Sequence, residues 1–339
     1  MSESGQDHEE SSLPVVGITM GDAAGIGPEV TLKALLDGNL KLICRPVIIG
    51  DARFLDSCAR SLDLSANLRP FDADNEFPDD GFEVYDLGNI DESIVPGEES
   101  ESAGRAAAQN IEASVGLWQD GAIDAVATAP ISKHAIALAG YDYPGHTEFY
   151  AHLTNTKDFA MSFFAEKLRV VLLSTHVSLV DAISLVKTDA LVKLIEFTDK
   201  NLSLLLKHKI KIAVAGLNPH ASEGGKFGSE ERDQITPAIG QCRASGIDVS
   251  GPYSPDTIFL RGFRGDFDAV IACYHDQATI AVKSLSFGSS VNVTLGLPII
   301  RTSVDHGTAF DIAGKGVAEA SSMASAIKLA AELVNIRKT

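Results

Sequence analysis

The sequence predicts an α/β fold built on a mainly parallel sheet. Short segments rich in valine, isoleucine and alanine alternate with longer segments whose apolar residues recur at helical spacing, as in successive βαβ units. Three of the strand-like segments lead within a few residues to a histidine, at His176, His220 and His275. The carboxyl ends of parallel strands meet at one edge of a sheet, where open α/β sheets bind their ligands. We therefore expect a ligand site at that edge.

The composition limits the class of protein. A chain of 339 residues with 45% apolar residues can bury a sizeable core, as one large domain or two ordinary ones. Its 28 basic and 46 acidic residues give a net charge of −18, which argues against binding to nucleic acid or to an anionic membrane. No apolar segment approaches the roughly 20 residues of a membrane span, and the polar N-terminus lacks a signal-peptide core. We expect a cytoplasmic globular protein.

The cysteines indicate a reducing environment. They are far apart in the chain and form no Cys-x-x-Cys pair: Cys44, Cys58, Cys242 and Cys273. Two of them stand within apolar segments, where a packing role is the simpler interpretation. We therefore predict free thiols in place of a disulfide framework.

The first half of the chain alternates strands with helices. Residues 1–12 are acidic and serine-rich without apolar periodicity, and we expect a mobile tail there. Periodicity then predicts strands at residues 15–20, 45–50, 82–87 and 124–128, helices at 52–64 and 103–119, and an acidic loop at 95–102. The alternation favours a sheet with helices packed on its faces.

A glycine-rich loop follows the first strand. It reads Gly21-Asp-Ala-Ala-Gly-Ile-Gly-Pro-Glu29, with Pro28 suited to the first turn of a helix. Its backbone amides could receive an anion, although the spacing matches neither GxGxxG nor a Walker loop. A ligand site and a plain tight turn are both open interpretations.

The second half continues the same alternation. Strands are predicted at residues 160–164, 168–173, 210–215 and 269–273, and helices at 188–207, 230–244 and 318–336. Each of the last three strands ends just before one of the three histidines named above. No internal repeat interrupts the pattern.

The three strand-end histidines are candidate metal ligands. Three imidazoles around a divalent ion leave coordination positions open for water or substrate, as a catalytic site requires. The alternative is that each histidine is an ordinary hydrogen-bonded structural residue, which is the commoner case for any one of them alone. Three further histidines fall on predicted helices and have no assigned role: His134, His152 and His208.

Cationic residues near these histidines indicate an anionic ligand. Lys283 and Arg301 are both predicted close to strand ends, and the alternative is that they pair with Asp276 or Asp305. Other polar residues extend the candidate pocket for a phosphorylated or carboxylated small molecule: His146, Thr147 and Asn292. Asp256 and Asp276 are the carboxylates placed to handle a proton or to orient an imidazole.

Six segments together resemble the 4-hydroxythreonine-4-phosphate dehydrogenase family of vitamin B6 synthesis. They are Gly21–Glu29, Pro144-Gly-His-Thr-Glu-Phe149, Ser174-Thr-His176, Gly216-Leu-Asn-Pro-His-Ala-Ser-Glu-Gly-Gly225, Tyr274-His-Asp-Gln277 and Val291-Asn-Val-Thr-Leu-Gly-Leu-Pro-Ile-Ile-Arg-Thr-Ser-Val-Asp-His-Gly-Thr-Ala309. The similarity runs in order from about Val15 to Leu333. Three more segments are similar to the relatives that act on 4-phospho-D-threonate or 4-phospho-D-erythronate: Gly251–Leu260, Phe310–Ala313 and Ser322-Met323.

The resemblance implies a fold and a set of site residues. The fold would be like isocitrate and isopropylmalate dehydrogenases, with two α/β/α domains around a cleft. Residues 13–130 and about 300–339 would form the first domain, and about 131–299 the second, which would carry the metal ligands and the dimer interface. One divalent ion (zinc, magnesium or cobalt) would be held by His176, His220 and His275, contributed by both chains of a homodimer. The implied substrate contacts are His146, Thr147, Lys283, Asn292 and Arg301.

The resemblance also implies a reaction. NAD, or less often NADP, would take a hydride from C3 of a 4-phosphorylated 3-hydroxy acid, and carbon dioxide would then leave. The family pattern does not identify the cofactor-binding residues. Asp256 is our candidate base, and Lys283 would hold an anionic end of the substrate and donate a proton. Two other classes stay open, a phosphate acyltransferase of the same fold and a non-catalytic protein that kept it.

Departures from the family pattern put the substrate in question. The chain has Gly21-Asp-Ala-Ala-Gly25 where the family usually has GDPAG, and Ala278 where it has glycine after the motif YHDQ. The segment 284–290 also differs from the vitamin-pathway type. Loops beside a pocket decide which substituent at C2 is accepted, so 4-hydroxythreonine 4-phosphate, 4-phospho-D-threonate and 4-phospho-D-erythronate are all candidates.

Overall fold

The fold is described by a computed structural model covering residues 13–36, 39–75, 77–78, 80–90, 94–286 and 288–338. The segment 1–12, for which we predict a tail, lies outside the described residues. No helix among the described residues has the length and apolar character needed to span a bilayer.

Twelve strands within the described residues form one sheet. In chain order they are β1 (Val15–Thr19), β2 (Arg45–Gly50), β3 (Leu68–Pro70), β4 (Phe82–Asp86), β5 (Ala125–Thr128), β6 (Ala160–Ala165), β7 (Leu168–Leu172), β8 (Ile212–Ala215), β9 (Val249–Tyr253), β10 (Ala269–Ala272), β11 (Val291–Leu295) and β12 (Ile300–Ser303). Their order across the sheet is β3-β4-β2-β1-β5-β12-β11-β6-β7-β10-β8-β9. The predicted α/β class is therefore confirmed.

Helices connect the strands. They are α1 (Gly27–Leu36), α2 (Ala52–Ser61), α3 (Glu101–Gln119), α4 (Lys133–Leu138), α5 (His146–Leu153), α6 (Leu179–Leu185), α7 (Thr188–Leu206), α8 (Thr236–Ala244), α9 (Pro255–Arg264), α10 (His275–Leu285) and α11 (Ser321–Lys338). A wide π-helical turn, Glu231–Ile235, precedes α8, so the single helix predicted at 230–244 is divided. From the sequence we predict no helix at the positions of α5, α6, α9 and α10.

The sheet is mainly parallel, with an antiparallel section near its middle. Strand β6 pairs antiparallel with both β7 and β11, and β11 pairs antiparallel with β12. The cause at β6 and β7 is local: only Glu166 and Lys167 separate the two strands, and so short a loop can connect only an antiparallel pair. Strands β7, β10 and β8 are parallel neighbours, as the strand-end argument requires.

The core is continuous along the buried strands. Every residue of β5, β8 and β10 is buried, which explains why these strands are uninterrupted apolar segments without alternation. The two halves of the sheet join at the β11–β12 pair, where Asn292 faces Ser303 and Val293 faces Thr302. In the strand order, β6 to β10 lie on the β11 side of this pair, and β1 to β5 lie on the β12 side. The division into two domains stays a prediction.

The glycine-rich loop after β1 is closed by protein contacts. The Asp22 and Ile26 amides donate to the carbonyls of Pro130 and Thr308, both at 2.9 Å. The Ala24 amide donates to Asp22 Oδ1 at 2.9 Å. A Cβ on Gly27 would lie 2.3 Å from the Met20 carbonyl oxygen, so this glycine is needed for close packing. Because these amides are already paired, the tight turn is the better interpretation of the loop.

The four cysteines are free thiols, as predicted. Three are buried and Cys58 is half-buried. Burial raises the pKa of Cys44 and of Cys273 to about 12. These thiols therefore stay protonated at neutral pH and act as packing groups.

Candidate active site

Two of the three strand-end histidines meet at the carboxyl edge of the sheet. His176 follows β7, His275 begins α10 after β10, and their ring centroids are 5.7 Å apart. The Ser174 hydroxyl donates to the Cys273 carbonyl at 3.0 Å, which ties the two strand ends together. Burial, followed by the charges of Lys133 and His275, lowers the pKa of His176, so its imidazole is neutral and can serve as a ligand.

Asp276 orients one of these rings. Its Oδ1 lies 2.8 Å from His275 Nδ1. An ionised carboxylate accepts a hydrogen bond, so Nδ1 carries the proton and the lone pair of Nε2 is free for a metal. A carboxylate behind a ligating histidine is a common arrangement in metal sites.

His220 lies on an unusual turn after β8. Four successive non-glycine residues from His220 to Glu223 have φ between +43° and +64°, so the chain makes a left-handed turn. His220 is exposed, with Phe227 6.4 Å from its ring. Across the described residues of one chain, no three histidine, cysteine, aspartate or glutamate side chains are grouped to hold an ion.

Two acids, the half-buried Glu230 and the buried Glu231, hold the base of this turn. The Asn218 amide donates to Glu231 Oε1 at 2.7 Å, and its side-chain nitrogen donates to Glu230 at 2.7 Å and to Glu231 at 2.9 Å. Left-handed conformations cost non-glycine residues roughly 1–2 kcal/mol each. Strain of this kind persists where neighbouring contacts enforce it, and it is concentrated at functional sites.

Gln277 links the two strands that carry His220 and His275. Its Oε1 accepts from the Cys273 amide after β10, and its Nε2 donates to the Gly216 carbonyl after β8, both at 2.7 Å. The side chain is buried, so both backbone groups would lose their partner in Gln277→Ala.

We expect Gln277→Ala to lower the free energy of unfolding by about 1–3 kcal/mol, because buried polar groups would be left unpaired. Urea denaturation measures this loss. Gln241→Ala on the exposed face of α8 is the matched control, with an expected change within about 0.5 kcal/mol. Equal stabilities of the two variants would contradict the role of Gln277 as a link.

A cleft with two connected chambers lies beside the histidine pair. The inner chamber, about 250 Å³, is lined mainly by polar residues: Lys133, His146, Thr147, Glu148, His176, Asn292, Arg301, Ser303 and His306. The outer chamber, about 780 Å³, adds His275, Lys283 and Asp305 to residues shared with the inner one. The cleft thus brings together the five predicted substrate contacts and two of the three predicted metal ligands.

Arg301 forms the floor of the inner chamber. It lies within β12, where we predicted a strand end, and is only 2% exposed. Its guanidinium donates to the hydroxyls of Thr294, Thr128 and Thr147 at 2.8, 3.0 and 3.3 Å. Burial lowers its pKa to about 10, an effect partly offset by Tyr150 and Glu148, so it keeps its charge at neutral pH. Its hydrogen-bond partners among the described residues are hydroxyl groups and not carboxylates. The alternative pairing with Asp276 or Asp305 is therefore not what the structure shows.

Unpaired buried atoms around the inner chamber indicate a polar ligand. Four such atoms belong to residues that line it: His146 Nε2, Asn292 Oδ1, Arg301 Nε and His306 Nε2. Buried polar groups are nearly always hydrogen-bonded, so a cluster of unpaired ones at a cavity is a sign of a missing partner. Burial and the charge of Arg301 hold the pKa of His146 well below its usual range, so its ring is neutral.

Two chamber residues had no role assigned from the sequence. Lys133 and His306 line both chambers. Lys133 follows β5, a parallel neighbour of β1 and β12, and this strand-end position was the available signal. Asp256 lies elsewhere: it is exposed and lines a separate cavity between α9 and α10 with Tyr274 and Asp276.

The chain was compared with known proteins. Residues 42–330 match the family model described as pyridoxal phosphate biosynthetic protein PdxA. D-threonate 4-phosphate dehydrogenase of Cupriavidus necator is 46% identical over 96% of this chain and 98% of its own. 4-Hydroxythreonine-4-phosphate dehydrogenase of Desulforapulum autotrophicum is 43% identical over 94% of this chain and 95% of its own.

Solved structures give the same result. The crystal structure of 4-hydroxythreonine-4-phosphate dehydrogenase from Klebsiella pneumoniae superposes with a TM-score of 0.86 at 41% identity. The match covers 95% of this chain and 99% of that one. Both its sequence and its fold therefore make this chain a member of the PdxA family of dehydrogenases.

Proposed function

We propose that the protein is a divalent-metal- and NAD(P)-dependent dehydrogenase that oxidises C3 of a four-carbon 4-phosphorylated 3-hydroxy acid and decarboxylates the product. The observation that carries this proposal is the shared cleft. A pair of imidazoles fit for a metal and a buried arginine fit for an anion line connected chambers. The names of the relatives support the same substrate class.

The histidine pair fits a divalent ion. Zinc–nitrogen bonds of about 2.0–2.1 Å place the rings of two ligating imidazoles at a separation comparable to the 5.7 Å between His176 and His275. We propose His220 of a second copy as the third ligand. Once bound, the ion would acidify the C3 hydroxyl and stabilise the charge that develops during decarboxylation, while the nicotinamide accepts the hydride.

The residues of the chain supply binding and proton transfer. Arg301, Thr147 and the neutral His146 would bind one anionic end of the substrate in the inner chamber, and Asn292 would bind a hydroxyl or amino group. Lys283 in the outer chamber would give a proton to the carbon that loses carbon dioxide. Asp256 remains our proposed base. Because it lies outside the cleft of its own chain, it requires a second copy to act there.

A homodimer is part of the proposal. The segment after His176, which includes helix α6, exposes apolar side chains: Val177, Leu179, Val180, Ile183 and Leu185. Ile280 on α10, which lines the outer chamber with His176, is exposed as well. Contiguous exposed apolar side chains of this kind mark interfaces. The free thiols suit a reducing cytoplasm.

Val180→Asp is expected to convert the dimer into a monomer and to lower turnover. Val180 is 77% exposed in one chain, so a charge there harms only a contact with another chain. Leu42→Asp is the control, because Leu42 is 76% exposed at a site distant from α6. Analytical ultracentrifugation measures the association. A dimer that survives Val180→Asp unchanged would rule out this face.

The substrate is tested by direct assay. 4-Hydroxythreonine 4-phosphate, 4-phospho-D-threonate and 4-phospho-D-erythronate are each offered with NAD or NADP and with zinc, magnesium or cobalt, and NADH or NADPH absorbance is followed. The second candidate, a D-threonate 4-phosphate dehydrogenase, is favoured by the 46% identity to the Cupriavidus necator relative. No reduced nicotinamide with any combination would refute the proposed function and favour the acyltransferase alternative.

A further inference from the structure

Lys133 is a cation that lines both chambers of the cleft. It is the first residue of α4, whose start is fixed by the Ser132 hydroxyl accepting from the Ala135 amide at 3.1 Å. Its side chain passes over Gly145, where an added Cβ would lie 3.6 Å from Lys133 Cε. This path carries it into both chambers, whereas Lys283 lines only the outer one.

Among the described residues, the ammonium group of Lys133 makes no hydrogen bond and no ion pair. Glu148 lines the same chamber: a Cβ added to Gly145 would lie 3.5 Å from Glu148 Oε2 and 3.6 Å from Lys133 Cε. An ammonium group that is not held in an ion pair can form charge-assisted hydrogen bonds to an anionic ligand. The position is therefore suited to a charge that comes with the substrate.

The chemistry of the reaction indicates which anionic end it binds. A phosphate monoester carries about −1.5 to −2 charges at neutral pH, and Arg301 supplies one positive charge in the inner chamber. The carboxylate becomes neutral carbon dioxide, so a cation paired with it would stabilise the ground state more than the transition state. The phosphate keeps its charge throughout. Lys133 and Arg301 outnumber Glu148, the one acid among the described residues that lines the inner chamber, and this excess of positive charge fits the phosphate.

We propose that Lys133, together with Arg301, binds the phosphate group of the substrate and makes the enzyme select phosphorylated over unphosphorylated hydroxy acids. The inference rests on the proposed function for its substrate class. Lys133 is a binding residue in this scheme and takes no part in the proton transfers.

The test compares Lys133→Met, Lys133→Arg and the control Lys193→Met, an exposed lysine on α7 that lines a different cavity. Calorimetry measures the affinity of each protein for inorganic phosphate. Steady-state kinetics measure KM and kcat for the phosphorylated substrate and for its unphosphorylated analogue. We expect Lys133→Met to weaken phosphate binding and to raise KM about tenfold or more, with kcat within about threefold. Lys133→Arg should restore most of the affinity, and Lys193→Met should match the wild type.

Each other outcome overturns the inference. Unchanged phosphate affinity in Lys133→Met would remove the binding role. A fall in kcat with both the phosphorylated and the unphosphorylated compound, at constant KM, would make Lys133 a catalytic group instead. If the wild type oxidises none of the phosphorylated acids, the proposed function fails, while the calorimetric comparison with inorganic phosphate still decides the role of Lys133.

Discussion

His275→Ala is expected to reduce turnover by about a thousandfold. A metal ion stabilises developing charge by several kcal/mol, and about 4 kcal/mol corresponds to three orders of magnitude in rate. The change removes a proposed ligand at the start of α10 and leaves the buried link through Gln277 intact, so the fold should persist. NADH formation, bound-metal content and thermal unfolding measure the three consequences separately. His176→Ala and His220→Ala should behave alike.

Hybrid dimers provide the sharper form of this experiment. If His220 completes the site of the partner, a mixture of His220→Ala and His275→Ala chains forms hybrids with one intact site. Random pairing makes half of the dimers hybrid, so about a quarter of the wild-type activity should return. His208→Ala, at a surface histidine paired with Asp268, is the control and should keep full activity. No recovery on mixing would place the three ligands within one chain, whereas an active His220→Ala dimer would remove His220 from the site.

Arg301→Met is expected to lower kcat/KM for the phosphorylated substrate by about 10- to 100-fold. A hydrogen bond to a charged group contributes about 1.5–3 kcal/mol, which corresponds to this range. The loss should appear mainly in KM, because the anion is held equally before and during the reaction. Arg301→Lys should recover little, since an ammonium group cannot reproduce the three directed bonds of the guanidinium.

Arg169→Met separates binding from stability. Arg169, like Arg301, is an arginine within a strand, and it is partly buried. It donates to the carbonyls of Lys167 and Asp268, away from the cleft. Both substitutions should lower the free energy of unfolding measured by urea denaturation. Only Arg301→Met should change KM. An equal effect of both on KM would show that Arg301 acts through the fold alone.

The elements that sequence reasoning located best were those buried on both faces. Strand β10 and the strands beside it are short apolar segments, and burial on both sides of a parallel sheet leaves few other interpretations of such segments. The carboxyl ends of these parallel strands meet at one edge, which predicts that His176 and His275 lie together, as they do. Strand β12 is harder to predict from the sequence, because Arg301 interrupts its apolar pattern. The sequence therefore predicts Arg301 near a strand end and not within a strand.

Other features depend on contacts that are distant in the chain. The helix α10 begins with His275, Asp276 and Gln277, and its polar first turn concealed its helical periodicity. The left-handed turn at His220 is held by Glu231, which comes well after the turn in the sequence and accepts from the Asn218 backbone amide. In the sequence itself, only the Gly224-Gly225 pair indicates such a turn. The sequence shows that Lys133 follows a strand. Its place in the chamber depends on β5 lying beside β12, which only the sheet order gives.

The short ladder between β11 and β12 joins the two halves of the sheet at the candidate site itself. Among the described residues, the two halves of the sheet are joined there by the facing pairs of Asn292 with Ser303 and Val293 with Thr302. Asn292 and Ser303 also line the inner chamber. A substitution at Asn292 or Ser303 therefore alters the ligand pocket and the seam of the sheet together.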